Sequence, residues 1–192
     1  TENYVVPDVS RLKVLKCDGS GTTYIYKEKE YSLSLCGEYQ IENSLTAIEA
    51  VSASGFNIPY ETVKKALGAT FFPARAEIIS RNPLTVLDGA HNPDGAEALA
   101  EIMKKYSGRI TAIIGVMRDK DYETVLKKTL PYCRAAVAVT VENMPRSLAG
   151  EKLAAAASKY CPCITAENYG AAIEKSRSSA GDDPVFVFGS LY

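Results

Sequence analysis

A chain of 192 residues with 22 Lys+Arg against 23 Asp+Glu, a formal net charge of -1 and 46% hydrophobic residues is long enough to bury a core, as one domain or as two small ones. It has no basic run suited to nucleic acid, and no apolar stretch approaches the roughly 20 residues that span a bilayer, so a soluble cytoplasmic protein acting on small molecules is expected. Thr1-Glu2-Asn3-Tyr4 has neither an initiating Met nor the charged-then-apolar layout of a signal peptide, and reads as the start of an excised fragment.

Residues 12 to 35 have β texture, with runs at Leu12–Leu15, Thr22–Tyr26 and Tyr31–Leu35. They are separated by Asp18-Gly19-Ser20-Gly21 and by the polar Lys27-Glu28-Lys29-Glu30. From Gln40 the period changes: Ile41, Leu45, Ile48 and Val51 form one helical face that ends near Gly55, and a second short helix follows Pro59 through Val63 and Leu67. Phe71-Phe72-Pro73-Ala74-Arg75 reads as a connector, because Pro73 biases its predecessor away from helix, and a domain boundary is placed between residues 73 and 74.

Beyond it, Ala76–Ser80 and Leu84–Asp88 flank Arg81-Asn82-Pro83, a turn suited to an antiparallel pair. Strands then alternate with helices: strands at Ile110–Val116, Ala135–Val141, Ile164–Ala166 and Val185–Gly189, helices near 94–106, 121–130, 148–159 and 169–179. Such alternation implies right-handed βαβ crossovers. The expected class is therefore α/β: a Rossmann-like, mainly parallel sheet with helices on both faces and one antiparallel strand, preceded by a small β-hairpin-plus-helix segment.

The five cysteines, Cys17, Cys36, Cys133, Cys161 and Cys163, are odd in number, scattered and without a C-x-x-C pair, which fits reduced thiols rather than a disulfide framework or a zinc site. Cys161-Pro162-Cys163 reads as a loop-to-strand junction. The richest stretch is Asp88-Gly89-Ala90-His91-Asn92-Pro93-Asp94-Gly95, which follows the apolar run Leu84–Leu87 and precedes the helical spacing of Ala96, Leu99, Ile102 and Met103. It falls at the carboxyl end of a strand and the amino end of a helix, where ligands gather in open α/β sheets and N–H groups favour anions.

His91 is the chain's one imidazole, so any histidine-dependent step must use it; a histidine tied into its own turn is the structural alternative. Asp88 can accept hydrogen bonds from ribose hydroxyls or hold a cation's water, or it can bond the N–H groups of its own turn. Asn92, Pro93 and the flanking glycines act through shape. Arg75 suits phosphate clamping, with an ion pair to Glu77 as the alternative. Gly115-Val116-Met117-Arg118-Asp119-Lys120-Asp121 ends another strand at the same crevice, or forms a solvated loop and N-cap. No G-x-x-x-x-G-K-[ST], G-x-G-x-x-G or G-x-S-x-G motif occurs, so the chain holds no self-contained nucleoside triphosphate site and no hydrolase elbow.

Five segments in order resemble the signatures of the folylpolyglutamate synthase/dihydrofolate synthase family, a branch of the Mur ligase superfamily. They are Gly37-Glu38-Tyr39-Gln40-Ile41-Glu42-Asn43, Phe72-Pro73-Ala74-Arg75-Ala76-Glu77, Asp88-Gly89-Ala90-His91-Asn92-Pro93, Asp119-Lys120-Asp121 and Gly189-Ser190-Leu191-Tyr192. The chain departs from the family pattern at Tyr39, where a histidine is usual, and at Ala74, where a glycine is usual. It also lacks the N-terminal domain that carries the family's phosphate loop, magnesium ligands and modified lysine.

The resemblance implies that residues 1–73 are the tail of an ATPase domain and residues 74–192 the C-terminal glutamate ligase domain. The implied reaction uses ATP and Mg2+ to phosphorylate the terminal carboxylate of a folate, after which the amino group of L-glutamate attacks the acyl phosphate. Carried over by motif, Asn43 contacts the adenine, Arg75 the phosphates and Asp88 the nucleotide ribose. His91 helps place the incoming glutamate or the reacting carboxylate, and Ser190 lies near the same pocket. No metal ligand is assigned to this chain. The expected partners are folate and glutamate alone, with the protein a monomer and the fragment inactive by itself. Two readings compete: a cell-wall Mur ligase joining an amino acid to a UDP-muramoyl precursor, and a non-catalytic Rossmann-like nucleotide-binding module.

Overall fold

The computed structural model describes residues 4–18, 21–35 and 37–190; Gly19-Ser20 of the first expected turn, Cys36 and the terminal Leu191-Tyr192 lie outside the described residues. The chain divides into two compact units, Thr1–Pro73 and Ala74–Tyr192.

The first unit is an antiparallel meander of β1 (Leu12–Asp18), β2 (Gly21–Tyr26) and β3 (Lys29–Leu33), followed by α1 (Glu38–Ala53) and α2 (Tyr60–Ala69). β3 begins two residues earlier than the polar run suggests. Lys27 and Glu28 alone make the turn, with φ of 48° and 65°, the left-handed pair that matches the twist of a two-residue hairpin. Lys29 and Glu30 are thereby free to pair with Tyr26 and Ile25.

Period-2 alternation puts Tyr24, Tyr26, Tyr31 and Leu33 on one face, against Ile41, Leu45 and Ile48 of α1. Three tyrosines in a core need outlets for their hydroxyls. Tyr24 shares a 2.6 Å hydrogen bond with Ser44, and Tyr26 donates to Glu49 at 2.8 Å. Lys27 completes the arrangement with a 2.6 Å ion pair to the same Glu49 carboxylate.

The second unit is built on β4 (Glu77–Arg81), β5 (Leu84–Asp88), β6 (Ile110–Gly115), β7 (Cys133–Val139), β8 (Cys163–Ala166) and β9 (Val185–Gly189). They form one sheet in the order β4-β5-β9-β6-β7-β8, with β4 antiparallel to β5 and every other pair parallel. Helices α3 (Pro93–Met103), α4 (Tyr122–Thr129), α5 (Gly150–Ala157) and α6 (Tyr169–Ala180) connect them. Right-handed crossovers that step from β5 towards β8 put α3, α4 and α5 on one face; the return from β8 to β9 reverses direction and puts α6 on the other. Ala172 and Ala180 of α6 accordingly share a cluster with Ile113, Val137, Val139 and Val185. On the opposite face Phe186 meets the Tyr106 ring just beyond α3, at 6.0 Å between centroids. The α/β class with helices on both faces and one antiparallel strand is thus the observed one.

α5 starts at Gly150, two residues later than its spacing suggests, because Met117 and Ser147 form a bridge and Leu148 N–H donates to Val116 O, holding the preceding loop extended. Cys17, Cys133, Cys161 and Cys163 are free thiols, and Cys163 opens β8. No helix among the described residues is long and apolar enough to cross a membrane.

Candidate functional site

The turn after β5 is organised by the carboxylate that ends it. Asp88 is only 6% exposed, and its two oxygens divide between two segments: Oδ1 accepts from Ala90 N at 2.8 Å and Oδ2 from Ala76 N at 2.7 Å. Gly89 N donates to Ala74 O at 2.8 Å, so the connector preceding β4 is sewn to the motif turn from both sides. Burial pushes the Asp88 carboxyl above its ordinary range, opposed by the two N–H donors and by the nearby Arg75 guanidinium. An ionised carboxylate has about four acceptor positions, and two are taken, so Asp88 both shapes the turn and can still receive a ligand's hydroxyl.

Ala74 and Ala76 both have positive φ, 53° and 50°. The left-handed region is disfavoured once a Cβ is present, which gives a physical reason for glycine at the first of these positions in the pattern the chain resembles. Ala74 N–H is received by Glu77 at 2.9 Å, so Glu77 is engaged with the backbone of the connector.

His91 Nδ1 lies 2.8 Å from Gly89 O. A carbonyl can only accept, so the proton sits on Nδ1 and Nε2 is left as an acceptor in the neutral ring. Asn92 caps α3 by accepting from Gly95 N at 2.8 Å, and Pro93 occupies the first helical turn. A Cβ on Gly95 would lie 3.0 Å from Asn92 Oδ1 and 3.3 Å from Ala90 Cα, so the glycine serves close approach.

Asp88 also lines a cavity of about 250 Å³ at the carboxyl ends of β5, β6, β7 and β9. Leu87, Ile113, Val139, Val141 and Val187 supply aliphatic walls, and Tyr169 and Ser190 contribute polar atoms. Ser190 N donates to Gly115 O at 2.8 Å, while its Oγ is buried without a hydrogen-bond partner. Tyr169, at the start of α6, is tied to the loop after β7: its hydroxyl accepts from Glu142 N at 2.9 Å and its own N–H donates to Glu142 Oε1 at 3.3 Å. Sequence reasoning missed Tyr169 because its partner is 27 residues away; its one local signal is Asn168, which caps α6 through Ala171 N.

The second unit therefore contains Arg75, Asp88, His91 and Ser190, with Asp88 and Ser190 lining one cavity. Asn43 belongs to the first unit, on an exposed part of α1, where its amide donates to Gln40 at 3.1 Å. Of the Asp119-Lys120-Asp121 loop, Asp121 caps α4 through Thr124 N at 3.2 Å, and Asp119 pairs with Arg146 of the neighbouring loop at 2.8 Å. Among the described residues, no group of three or more His, Cys, Asp or Glu could hold a metal ion.

A family model described as "Mur ligase, glutamate ligase domain" matches residues 74–191. Folylpolyglutamate synthase of Lacticaseibacillus casei is 32% identical over 190 residues, covering 92% of this chain and 43% of that protein. Among solved structures, Mycobacterium tuberculosis folylpolyglutamate synthase complexed with ADP superposes with a TM-score of 0.82 at 28% identity, covering 94% of this chain and 45% of that one. E. coli FolC in complex with DHPP and ADP gives a TM-score of 0.78 at 25% identity, covering 93% and 42%. The chain spans less than half the length of each of these relatives.

Proposed function

We propose, since the chain belongs to the Mur ligase family and carries its glutamate ligase domain, that it forms part of an ATP-dependent ligase adding L-glutamate to the terminal carboxylate of a (tetrahydro)folate. The observation that carries this reading is the turn from Asp88 to Asn92. It joins a half-satisfied carboxylate, an imidazole with its acceptor nitrogen free of the turn, and the N-terminus of α3.

Transfer of the γ-phosphoryl group of ATP to the folate carboxylate makes an acyl phosphate and ADP; the glutamate ammonium gives one proton to solvent, the resulting amine attacks the carbonyl carbon, the C–O bond breaks with its electron pair leaving on phosphate, and the nitrogen passes its second proton to the departing phosphate as the amide forms. In this scheme Arg75 faces the phosphates, Asn43 the adenine and Asp88 the ribose, through the acceptor positions its backbone bonds leave open. His91 Nε2 accepts a hydrogen bond from the incoming ammonium and so orients it. Ser190 contacts the amino acid from the cavity side. The resemblance implies that the Mg2+ ligands belong to a preceding domain, and no step here runs through the metal.

The chain alone is expected to release no ADP from ATP when given folate and glutamate. In the full-length ligase, Arg75→Ala and Asp88→Ala should each cut ATP-dependent amide formation. Turnover by the 192 residues alone would overturn the shared-site reading, and wild-type ATP use in both variants would overturn the residue roles.

A further inference from the structure

Two alanines of the connector that opens the second unit stand in the left-handed region, Ala74 at φ 53° and Ala76 at φ 50°, on either side of Arg75. Both are buried, each 4% exposed. A residue with a Cβ does not settle there unaided, so the surroundings must hold both steps. Two carboxylates do so. Asp88 Oδ2 accepts from Ala76 N at 2.7 Å, and Glu77 Oε2 accepts from Ala74 N at 2.9 Å.

The two clamps differ in what else they do. Asp88 lines the cavity and bonds its own turn through Ala90 N. Glu77 opens β4, where it pairs with Leu87, so its backbone is set by the sheet and its side chain reaches back three residues to Ala74. Gly89 N donates to Ala74 O at 2.8 Å and fixes the other side of the same residue. Arg75 therefore leaves the connector between two residues whose backbones are tied. A long side chain held at its base searches less space and loses less entropy when its far end engages a ligand.

We propose that Glu77 is a positioning residue for Arg75: by accepting the Ala74 N–H it holds the left-handed step from which the guanidinium is directed at the phosphates of a nucleotide. The phosphate ligand rests on the proposed ligase function; the hold on Ala74 does not. A carboxylate gains nothing by meeting phosphate directly, so Glu77 touches no substrate and acts through the backbone.

The test uses the full-length ligase and steady-state kinetics with ATP and glutamate varied separately. Glu77→Ala should raise KM for ATP about tenfold, the scale of one hydrogen bond to a charged group, while KM for glutamate stays within about twofold. Glu77→Gln, whose amide oxygen still accepts from Ala74 N, should keep KM for ATP within about twofold of the parent. Arg75→Ala/Glu77→Ala should be no worse than Arg75→Ala, since both act through one contact. A merely structural role would lower kcat by reducing the active fraction and leave KM for ATP unchanged. That result, failure of Glu77→Gln to rescue, or additive effects in the double variant would overturn the proposal.

Should Glu77→Ala fail to fold, Ala74→Gly/Glu77→Ala takes its place, because glycine enters the left-handed region without help. It should fold and show a smaller rise in KM for ATP, about threefold, because glycine holds the step only part of the time; a KM equal to the parent's counts against the proposal. Displacement of a fluorescent ATP analogue by ATP reads nucleotide affinity without turnover and separates the two readings. A full-length protein that forms no glutamyl amide, yet loses ATP affinity in Glu77→Ala and regains it in Glu77→Gln, overturns the ligase function and leaves the positioning intact. Unchanged ATP affinity in Glu77→Ala overturns the positioning.

Discussion

Asp88 is the residue whose replacement most directly tests how the second unit is held together. Its carboxylate is 6% exposed and accepts from Ala76 N at 2.7 Å and Ala90 N at 2.8 Å, joining the connector to the motif turn. Asp88→Asn keeps the shape but replaces one oxygen by NH2, so one N–H faces a donor. Loss of one hydrogen bond to a charged group is worth about 1.5–3 kcal/mol. For the unit Ala74–Tyr192, at about 4 °C per kcal/mol, this is a melting-temperature drop of about 6–12 °C. Differential scanning calorimetry near neutral pH, with urea unfolding to show an unchanged m-value, measures it.

The pH dependence has a definite sign. Burial raises the Asp88 carboxyl above its ordinary value, so the folded state holds its proton more tightly than the unfolded chain. The stabilisation linked to this tighter proton binding is fully present below the unfolded aspartate value of about 3.9 and is lost as pH rises through the raised folded value, whereas the two N–H bonds are those the ionised carboxylate accepts at neutral pH. Asp88→Asn should remove that slope. A variant melting within about 2 °C of the parent would refute the claim that this carboxylate stitches the two segments.

Ala74, held at φ 53°, should give way to glycine with a gain of up to about 1 kcal/mol, since relief of the Cβ strain exceeds glycine's extra chain entropy; a lower melting temperature for Ala74→Gly would contradict this. In the first unit, Lys27 holds the Glu49 carboxyl below its ordinary range, first through their hydrogen bond and against the effect of burial. The ionised pair therefore stabilises above the unfolded glutamate value of about 4.3 and loses its effect as pH falls through the depressed folded value. Glu49→Gln should be the less stable protein at pH 7, by urea titration followed by circular dichroism, and the gap should narrow as pH is lowered below the ordinary glutamate range; a gap independent of pH would count against the pair. Burial pushes the Cys163 thiol up to about 12 and raises Cys133 and Cys161 as well. A thiol reagent at pH 8 should therefore label the buried Cys133 and Cys161 rapidly only in denaturant, and mass spectrometry finding prompt Cys133 modification in the native protein would be inconsistent with its burial.

The elements that announce themselves in the sequence are those whose signal is local. The strand-to-helix turn at Asp88–Gly95 shows its cap, its proline and its helical spacing within eight residues, and α3 begins at Pro93. The β4–β5 hairpin is legible from Arg81-Asn82-Pro83, and it is the antiparallel strand of the sheet. Long-range pairings leave no such trace. Val185–Gly189 reads as a buried strand, but nothing in its apolar run says that it inserts between β5 and β6. The Lys27-Glu28 turn lacks the glycine or asparagine that marks left-handed positions, because the Glu49 ion pair, 22 residues on, helps to hold it. The orphan hydroxyl of Ser190 and the Tyr169–Glu142 bonds likewise exist only once distant loops meet.

That late insertion bears on synthesis. β9 hydrogen-bonds to both β5 and β6, so a nascent chain emerging from the ribosome exposes two unpaired strand edges until β9 has been made. During that interval it is vulnerable to aggregation and is a natural client for a chaperone. Because Ser190 follows β9 directly, cavity assembly and closure of the sheet become one event, and premature termination before Val185 would yield a polypeptide with neither.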